Sequence, residues 1–329
     1  MSLRIVPAVI LLALLPGGAL AQATSTSSGQ AYPTKPVRIL VGFLPGGGSD
    51  IFGRLIAQSL TERLGQQVVV ENRPGAGATI ATEAVVRSAP DGYTLLLGSS
   101  SEIAMNPELY TKLTFDPRKD LVPVSLYATT PLLLVVHPSL PVRNVKEMIA
   151  LAKARPGEMN YGSAGSGSMT HLAAALFVSG TETKIVHVPY KGVGGVIPDL
   201  VAGQVQMMTV PIPPVLQLVQ MGRLKALGVT TLTRSKLLPD LPTIDESGVK
   251  GYDVTHWYGP FAPVATPRDI VNRLHNELAQ AVRSPETVAK IAKQGAEPGN
   301  LTLEQLAQFM KAETVKWSKA VKASGAKVE

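Results

Sequence analysis

The 329-residue chain contains no cysteine, which excludes a disulfide framework and any thiol chemistry. Aromatic residues make up only 5% of the sequence, so the core must be built mainly from valine, leucine, isoleucine and alanine. Charged residues account for 17% and hydrophobic residues for 45%, a balance that is typical of a folded globular protein. A chain of this length has enough apolar material for two lobes.

Motifs of the common enzyme classes are missing as well. No Gly-Lys pair occurs, so there is no Walker phosphate loop, and no serine lies in the GxSxG pattern of a nucleophile elbow. The five histidines are not spaced as metal ligands, and there is no HExxH motif. The sequence therefore predicts a protein that is not an enzyme, with no metal site and no cofactor.

The first 30 residues have the pattern of an export signal. Arg4 precedes an apolar stretch at residues 5–15, which is shorter than the roughly 20 residues needed to span a bilayer. Small residues at 19–21 then suit a cleavage site. We predict a signal peptide over residues 1–23, a polar linker over 24–30 and a periplasmic location.

The chain is basic, with 31 Lys and Arg against 24 Asp and Glu and a net charge of +7. A basic surface speeds encounters with anions, although it serves solubility equally well. The charges are scattered and no basic-aromatic cluster occurs, so no nucleic-acid partner is predicted.

Strand-like and helix-like segments alternate along the rest of the chain, which indicates an α/β protein whose parallel sheets are covered by helices. The apolar stretch at 122–136 predicts two strands that meet near residues 129–131 and cross between lobes. The strand at 224–230 is expected to carry the chain back to the first lobe. The other predicted strands lie at 37–43, 68–71, 93–97, 184–188 and 204–210, and the predicted helices at 51–64, 78–88, 144–154, 170–178, 196–201, 267–282, 285–293 and 303–323.

Residues 45–50 form a glycine-rich turn between the first strand and the first helix. Glycine lets a ligand approach the backbone, and the unpaired N–H groups at a helix start favour an anion. A tight connection without a ligand is the alternative. Asp50 either caps the helix or binds the ligand, and capping is favoured because a bare carboxylate repels an anion.

Small-residue turns recur at other strand ends. Residues 99–101 are three serines, residues 162–168 are rich in glycine and serine, and residues 189–192 form another turn. Together they indicate a cleft lined by N–H and hydroxyl groups, which suits a carboxylate. His171 suits a place in the cleft or in the core, and His187 suits the core. Arg73 and Lys191 are either ligand cations or surface charges, and the surface is favoured.

Several stretches, in this order and spacing, resemble the periplasmic solute-binding proteins of the tripartite tricarboxylate transporters, also called the Bug family. The resemblance covers nearly the whole mature chain. The matching stretches are residues 32–38, 45–50, 70–77, 89–95, 160–165, 171–173, 187–192 and 227–230.

The resemblance implies a type II periplasmic-binding-protein fold, in which two lobes, each with a central sheet flanked by helices, close on a carboxylate. The first lobe would comprise residues 31–127 and 227–329, including the C-terminal helices, and the second would comprise 128–226. The ligand-binding residues implied by position are Gly46, Gly47, Gly48, Ser49, Ser99, Ser100, Ser163, Ala164, Gly165, Thr170, His171, Pro189 and Tyr190.

The family also implies a partner, because such a receptor delivers its ligand to membrane permease subunits. The alternative is a sensor component that hands its liganded form to a two-component histidine kinase. A monomer is expected in either role.

One departure from the family pattern concerns the far end of the ligand. Members often read Phe-Asp-Asn after the strand that ends near Met208, whereas residues 209–214 here read Thr-Val-Pro-Ile-Pro-Pro. An amino-acid ligand would lose an acidic partner for its ammonium group. The departure therefore favours an apolar or aromatic dicarboxylate.

Overall fold

The computed structural model describes residues 1–2 and 32–327. The chain from Pro33 onward forms one compact unit. Apart from Met1 and Ser2, the predicted signal peptide and linker lie outside the described residues. Among the helices that the structure describes, none combines the length and apolar character that crossing a membrane requires.

The first part of the unit alternates strands with helices, as the sequence predicted. Helix α1 ends at a left-handed glycine, Gly65, whose N–H binds the Thr61 carbonyl. A five-residue π-helical turn, residues 101–105, follows the third strand. The elements are β1 (Val37–Val41), α1 (Gly48–Leu64), β2 (Val68–Asn72), α2 (Thr79–Val86), β3 (Thr94–Ser99), α3 (Asn106–Leu109), α4 (Pro117–Asp120) and β4 (Leu121–Pro123).

The second part repeats the alternation and ends in helices. Four of these helices begin with side-chain caps from Asn144, Ser168, Ser284 and Thr302. The elements are β5 (Ala128–Val136), α5 (Val145–Ala154), β6 (Asn160–Ser163), α6 (Met169–Gly180), β7 (Val186–Pro189), α7 (Val193–Val201), β8 (Met207–Pro211), α8 (Leu216–Gln220), β9 (Lys225–Val229), β10 (Thr255–Pro263), α9 (Arg268–Ala281), α10 (Pro285–Ala292), β11 (Glu297–Pro298) and α11 (Leu303–Ser324).

All described strands join one sheet, whose main order is β2-β1-β3-β10-β5-β8-β6-β7. Strand β1 runs parallel to β2 and β3, and β6 runs parallel to β7 and β8. The carboxyl ends of each parallel set therefore lie at one edge, which is where the loops of such sheets bind ligands.

Strand β5 connects the two parallel sets. Residues 128–131 pair with β10, and residues 132–136 pair with β8 and β9. The expectation of two strands meeting near residues 129–131 was wrong: β5 runs unbroken through Pro131, because the change of partner occurs within one buried strand. The division into two lobes stays a prediction.

Strand β9 does not return the chain to the first set, which corrects another expectation. It pairs with residues 133–136, and the return is made by β10, a strand that the sequence reading missed. Gly259 and two prolines interrupt the apolar pattern of β10. Gly259 is nevertheless required there, because a Cβ would lie 1.9 Å from the Ser125 carbonyl oxygen.

Both faces of β5 are buried, which explains its unbroken run of apolar residues. Leu132 and Leu134 belong to the core cluster that contains Phe177, whereas Leu133 belongs to the cluster around Val196. Each fully buried leucine contributes about 1.5–3 kcal/mol through removal of apolar surface from water. The strand that joins the two parallel sets is thus fixed from both sides.

Helix α11 is attached to β10 by a buried acid. Glu313 is 1% exposed, and its Oε2 accepts hydrogen bonds from the indole N–H groups of Trp257 and Trp317, each at 2.8 Å. Lys316 lies 2.5 Å from the other carboxylate oxygen. The charge of Glu313 is therefore fully compensated, and the C-terminal helix is tied to the strand that carries Tyr258.

Candidate ligand-binding site

Asp50 holds the glycine turn after β1 in place. Its side chain is 5% exposed and forms an ion pair with Arg54 at 2.9 Å. It also accepts hydrogen bonds from the Gly46 N–H and from Asn72 Nδ2, both at 3.0 Å. Burial alone would raise the pKa of Asp50, but the bonds from Arg54, Gly46 and Asn72 outweigh burial and hold the pKa below its usual value. Asp50 thus binds the turn before the helix. Gly47 is the N-cap residue of α1, and it has no side-chain cap.

The start of α1 presents unpaired backbone donors. Gly46 has a φ of +90°, which favours glycine, and its N–H is already taken by Asp50. The N–H groups of Gly47, Gly48 and Ser49 donate to no other group among the described residues. The positive end of the α1 dipole adds to their attraction for an anion. Three of the four residues predicted in this turn therefore offer a free donor.

Tyr258 lies directly over this helix start, and sequence reasoning missed it. A Cβ on Gly48 would lie 2.6 Å from the Tyr258 hydroxyl oxygen, so the hydroxyl and the Gly48 backbone are close neighbours. The ring stacks on Phe52 at 4.5 Å, and the hydroxyl has no partner among the described residues. Burial, with a contribution from Glu102, raises the pKa of Tyr258, so the phenol stays a neutral donor. The signal for it was the aromatic run His-Trp-Tyr at 256–258.

Ser99 and Ser100, both predicted ligand-binding residues, are fully buried and use their hydroxyls internally. The Ser99 hydroxyl donates to Glu102 Oε2 and accepts the Ser101 N–H at 3.2 Å. The Ser100 hydroxyl is hydrogen-bonded to His256 Nδ1. Burial lowers the pKa of His256 to about 4, so its imidazole is neutral near pH 7. These serines hold Glu102 and His256 in place near Tyr258. Direct contact of Ser99 and Ser100 with the ligand stays a prediction.

The predicted residues of the second loop lie together after β6. The Ala164 N–H donates to Thr170 Oγ1 at 2.8 Å, and the Gly165 N–H donates to Ser163 Oγ at 3.2 Å. Gly165 has a φ of +129°, which favours glycine. At the start of α6, the N–H groups of Met169 and Thr170 donate to no other group in the described part of the chain. This loop therefore offers a second, smaller set of free donors.

His171 supports this loop from below. It is 3% exposed, its Nδ1 accepts the Gly167 N–H at 3.0 Å, and its ring stacks on His187 at 3.8 Å. His187 is hydrogen-bonded to Ser163 Oγ at 2.6 Å and stacks on Tyr161. Burial, and then the charge of His187, lowers the pKa of His171 to about 4. His171 is thus neutral and accepts a backbone bond, and a role for it in ligand contact stays a prediction.

The last two predicted residues, Pro189 and Tyr190, follow β7. The Tyr190 N–H donates to the Ser163 carbonyl at 3.0 Å, and its hydroxyl donates to Asp199 at 2.7 Å. Pro189 is exposed. Tyr190 therefore fixes the loop to β6, whereas Pro189 has no contact that assigns it a role.

The two basic residues singled out near these loops, Arg73 and Lys191, are paired or exposed. Arg73 bonds Glu71 at 2.7 Å and is 40% exposed, and Lys191 is exposed. No group of three or more His, Cys, Asp or Glu residues in the described part of the chain is arranged to hold a metal ion. The site thus relies on uncharged donors.

The predicted residues form two clusters, one after β1 and β3 and one after β6 and β7. Leu109, just beyond the π-helical turn, packs at about 3.1 Å from the position of a Cβ on Gly167, so the second loop touches the first part of the unit. A cavity of about 460 Å³ borders the glycine turn. A cavity of about 570 Å³ between β4 and α11 contains none of the predicted residues.

Comparison with known proteins decides the family. Residues 52–326 match the profile of TctC, the tripartite tricarboxylate transporter family receptor. The chain belongs to the TctC receptor family. This TctC receptor is 38% identical over 303 residues to BugT of Bordetella pertussis, which covers 92% of this chain and 93% of BugT. The family resemblance inferred from the sequence is confirmed.

Solved structures of similar receptors confirm the fold class. An R. palustris protein solved with adipate is 37% identical, with a TM-score of 0.77, and the match covers 90% of this chain and all of that one. MatC from Rhodopseudomonas palustris, solved with malate, is 31% identical, with a TM-score of 0.73 and coverage of 88% and 100%. The TctC receptor described here therefore has the α/β fold of periplasmic solute-binding proteins.

Proposed function

We propose that this receptor binds one carboxylate of a small diacid at the start of α1. The observation that carries the proposal is the set of unpaired N–H groups on Gly47, Gly48 and Ser49, with the free Tyr258 hydroxyl directly above Gly48. A carboxylate accepts several such bonds at once, and hydrogen bonds to a charged acceptor are about twice as strong as neutral ones. No cation is needed at this end.

The other end of the ligand is proposed to be free of an ammonium group. Residues 209–214 contain no acid, and Thr209 is buried with its hydroxyl on the Thr170 carbonyl at 2.8 Å. A cationic group placed there would therefore lose its hydration without gaining a carboxylate. The adipate and malate bound by the two similar receptors support a diacid, and the apolar segment favours an apolar or aromatic one.

Membership of the TctC family supports a biological role in transport. We infer that the receptor acts in the periplasm, passes its ligand to membrane permease subunits and catalyses no reaction. The free donors of the second loop, at Met169 and Thr170, would contact the ligand when the two predicted lobes close on it. Cell fractionation and loss of uptake of the bound diacid in a deletion strain test this role.

Binding itself is tested by a thermal-shift screen followed by calorimetry. Adipate, malate, terephthalate and citrate are compared with aspartate and glutamate, because a ligand that binds the folded state raises the melting temperature. We expect a diacid without an amino group to give the largest shift. Tight binding of aspartate or glutamate would overturn the assignment of the far end, and no shift with any carboxylate would overturn the proposal as a whole.

A further inference from the structure

Glu102 is a buried acid that contacts Ser99 at the end of β3, the strand next to the one that carries Tyr258. It is 1% exposed, and its Oε2 accepts the N–H of Ser99 at 3.1 Å as well as the Ser99 hydroxyl. Its Oε1 has no partner among the described residues. Among the residues that the structure describes, no lysine, arginine or histidine compensates a negative charge on the Glu102 carboxyl.

The absence of a nearby cation makes ionised Glu102 costly. A buried carboxylate needs a paired charge or several donors, and Ser99 supplies only part of this. Burial raises the pKa of Glu102 to about 7, even though the bonds from Ser99 act in the opposite direction. Near neutral pH the Glu102 carboxyl is therefore present in both its protonated and its ionised form. A nearby charge shifts the balance between these two forms.

A bound carboxylate would supply that change of field. Ser99 is the register partner of Tyr258 across β3 and β10, and the Tyr258 hydroxyl lies over Gly48. A ligand carboxylate received by these donors therefore lies close to the Glu102 carboxyl, and like charges oppose each other.

The other titratable groups near this region are Asp50 on α1 and Tyr258 and His256 on β10. Asp50 stays ionised, because the bonds from Arg54, Gly46 and Asn72 hold its pKa below the usual value. Tyr258 keeps its proton, because burial raises its pKa, and His256 is neutral, since burial lowers its pKa to about 4. None of these three groups changes its charge near pH 7, so none compensates the added negative charge. Glu102 is therefore the group whose protonation changes when the ligand carboxylate binds.

We propose that Glu102 takes up a proton when a carboxylate ligand binds, so that ligand capture by this receptor is coupled to protonation of a buried acid. The proposal rests on the proposed function. Protonated Glu102 keeps Oε2 as the acceptor for Ser99 and removes the charge that would repel the ligand.

The linkage has a definite sign. Because the ligand raises the pKa of Glu102 above its free value of about 7, affinity is highest at acid pH and falls as pH rises through the free and bound values. If the ligand raises the pKa of Glu102 by about one unit, the affinity falls roughly tenfold between pH 6 and 9. The receptor then takes up about half a proton per bound ligand near pH 7.5.

Calorimetry with adipate tests this inference. Titrations at pH 7.5 in two buffers that differ in protonation enthalpy measure proton uptake directly on the unmutated protein. We expect about half a proton for the unmutated receptor. We expect none for Glu102→Gln, which keeps the size of the side chain and an acceptor for Ser99, and whose affinity should be flat from pH 6 to 9. The matched control is Glu313→Gln, a buried acid on α11, which should retain the uptake.

The outcomes separate the two proposals. Adipate binding without proton uptake by the unmutated receptor overturns the role of Glu102 alone, and so does uptake that persists in Glu102→Gln. Failure of every diacid to bind overturns the proposed function and this inference with it. Because uptake is measured on the unmutated protein, a misfolded variant does not prevent the decision.

Discussion

The Tyr258 hydroxyl offers the sharpest single test of the site. Tyr258→Phe removes one oxygen and keeps the ring, which stacks on Phe52 at 4.5 Å. The hydroxyl has no partner in the described part of the chain, so its removal should leave the free energy of unfolding nearly unchanged. Any effect should appear when the ligand carboxylate arrives over Gly48.

The magnitude follows from the chemistry of the bond. Burial keeps this phenol protonated by raising its pKa, so it is a neutral donor to a charged acceptor. Such a bond contributes about 1.5–3 kcal/mol, and each 1.4 kcal/mol changes affinity tenfold. We expect the dissociation constant for adipate to rise roughly 10- to 150-fold, as measured by calorimetry at constant pH.

Tyr252→Phe provides the matched control. Tyr252 is also buried, but its hydroxyl donates to the Ala173 carbonyl at 2.9 Å, within the core. This variant should lose about 1–2 kcal/mol of stability in urea unfolding and keep its affinity. An affinity of Tyr258→Phe within twofold of the unmutated receptor would refute the placement of the ligand carboxylate beneath Tyr258.

Much of the fold could be predicted from the sequence, because local patterns determine it. The predicted helix at 51–64 and the predicted strand at 68–71 agree with α1 and β2 to within a few residues. The predicted glycine turn at 45–50 includes the loop before α1 and its first turn. Periodicity and turn chemistry act over short distances, and these segments obey both. The family resemblance extended the reading to the whole chain.

The part of the site that β10 supplies, with Tyr258 and His256, could not be predicted in the same way, because it depends on strand pairing. Strand β10 lies between β3 and β5, whose segments are more than 100 residues earlier in the chain. Its glycine and prolines hid the strand pattern, and so Tyr258 and His256 were missed. The partner of Ser100 is likewise set by register, since only folding brings residue 256 beside the end of β3.

The roles of single residues within the turns also depended on contacts across the structure. Sequence reasoning placed Gly46 among the ligand donors, yet the Asp50 carboxylate accepts its N–H. It predicted that His171 lies either in the cleft or in the core. In the structure His171 is buried beneath the loop after β6, where its ring stacks on His187. A hydrogen bond from a neighbouring side chain decides which N–H groups remain free, and the chain order alone does not reveal it.

Three further variants test the remaining parts of the structure. Gly48→Ala should lower affinity for adipate at least about tenfold, because its Cβ would displace the phenol 2.6 Å away, whereas Gly194→Ala, with open space around it, should bind normally in calorimetry. Glu313→Ala should lose about 3–5 kcal/mol in urea unfolding, since two indole N–H groups and Lys316 lose their partner. The last test concerns pH. The pKa of His171 is about 4 in the folded state and 6.5 as its ordinary value, so the unfolded chain binds more protons between these values. The contribution of His171 to stability should therefore be complete above pH 6.5 and fall by up to about 3 kcal/mol towards pH 4. His171→Gln should make the urea-unfolding profile shallower by this amount, while the loss that comes from His256, whose pKa is also about 4, remains. A slope that His171→Gln leaves unchanged would refute the assignment to His171.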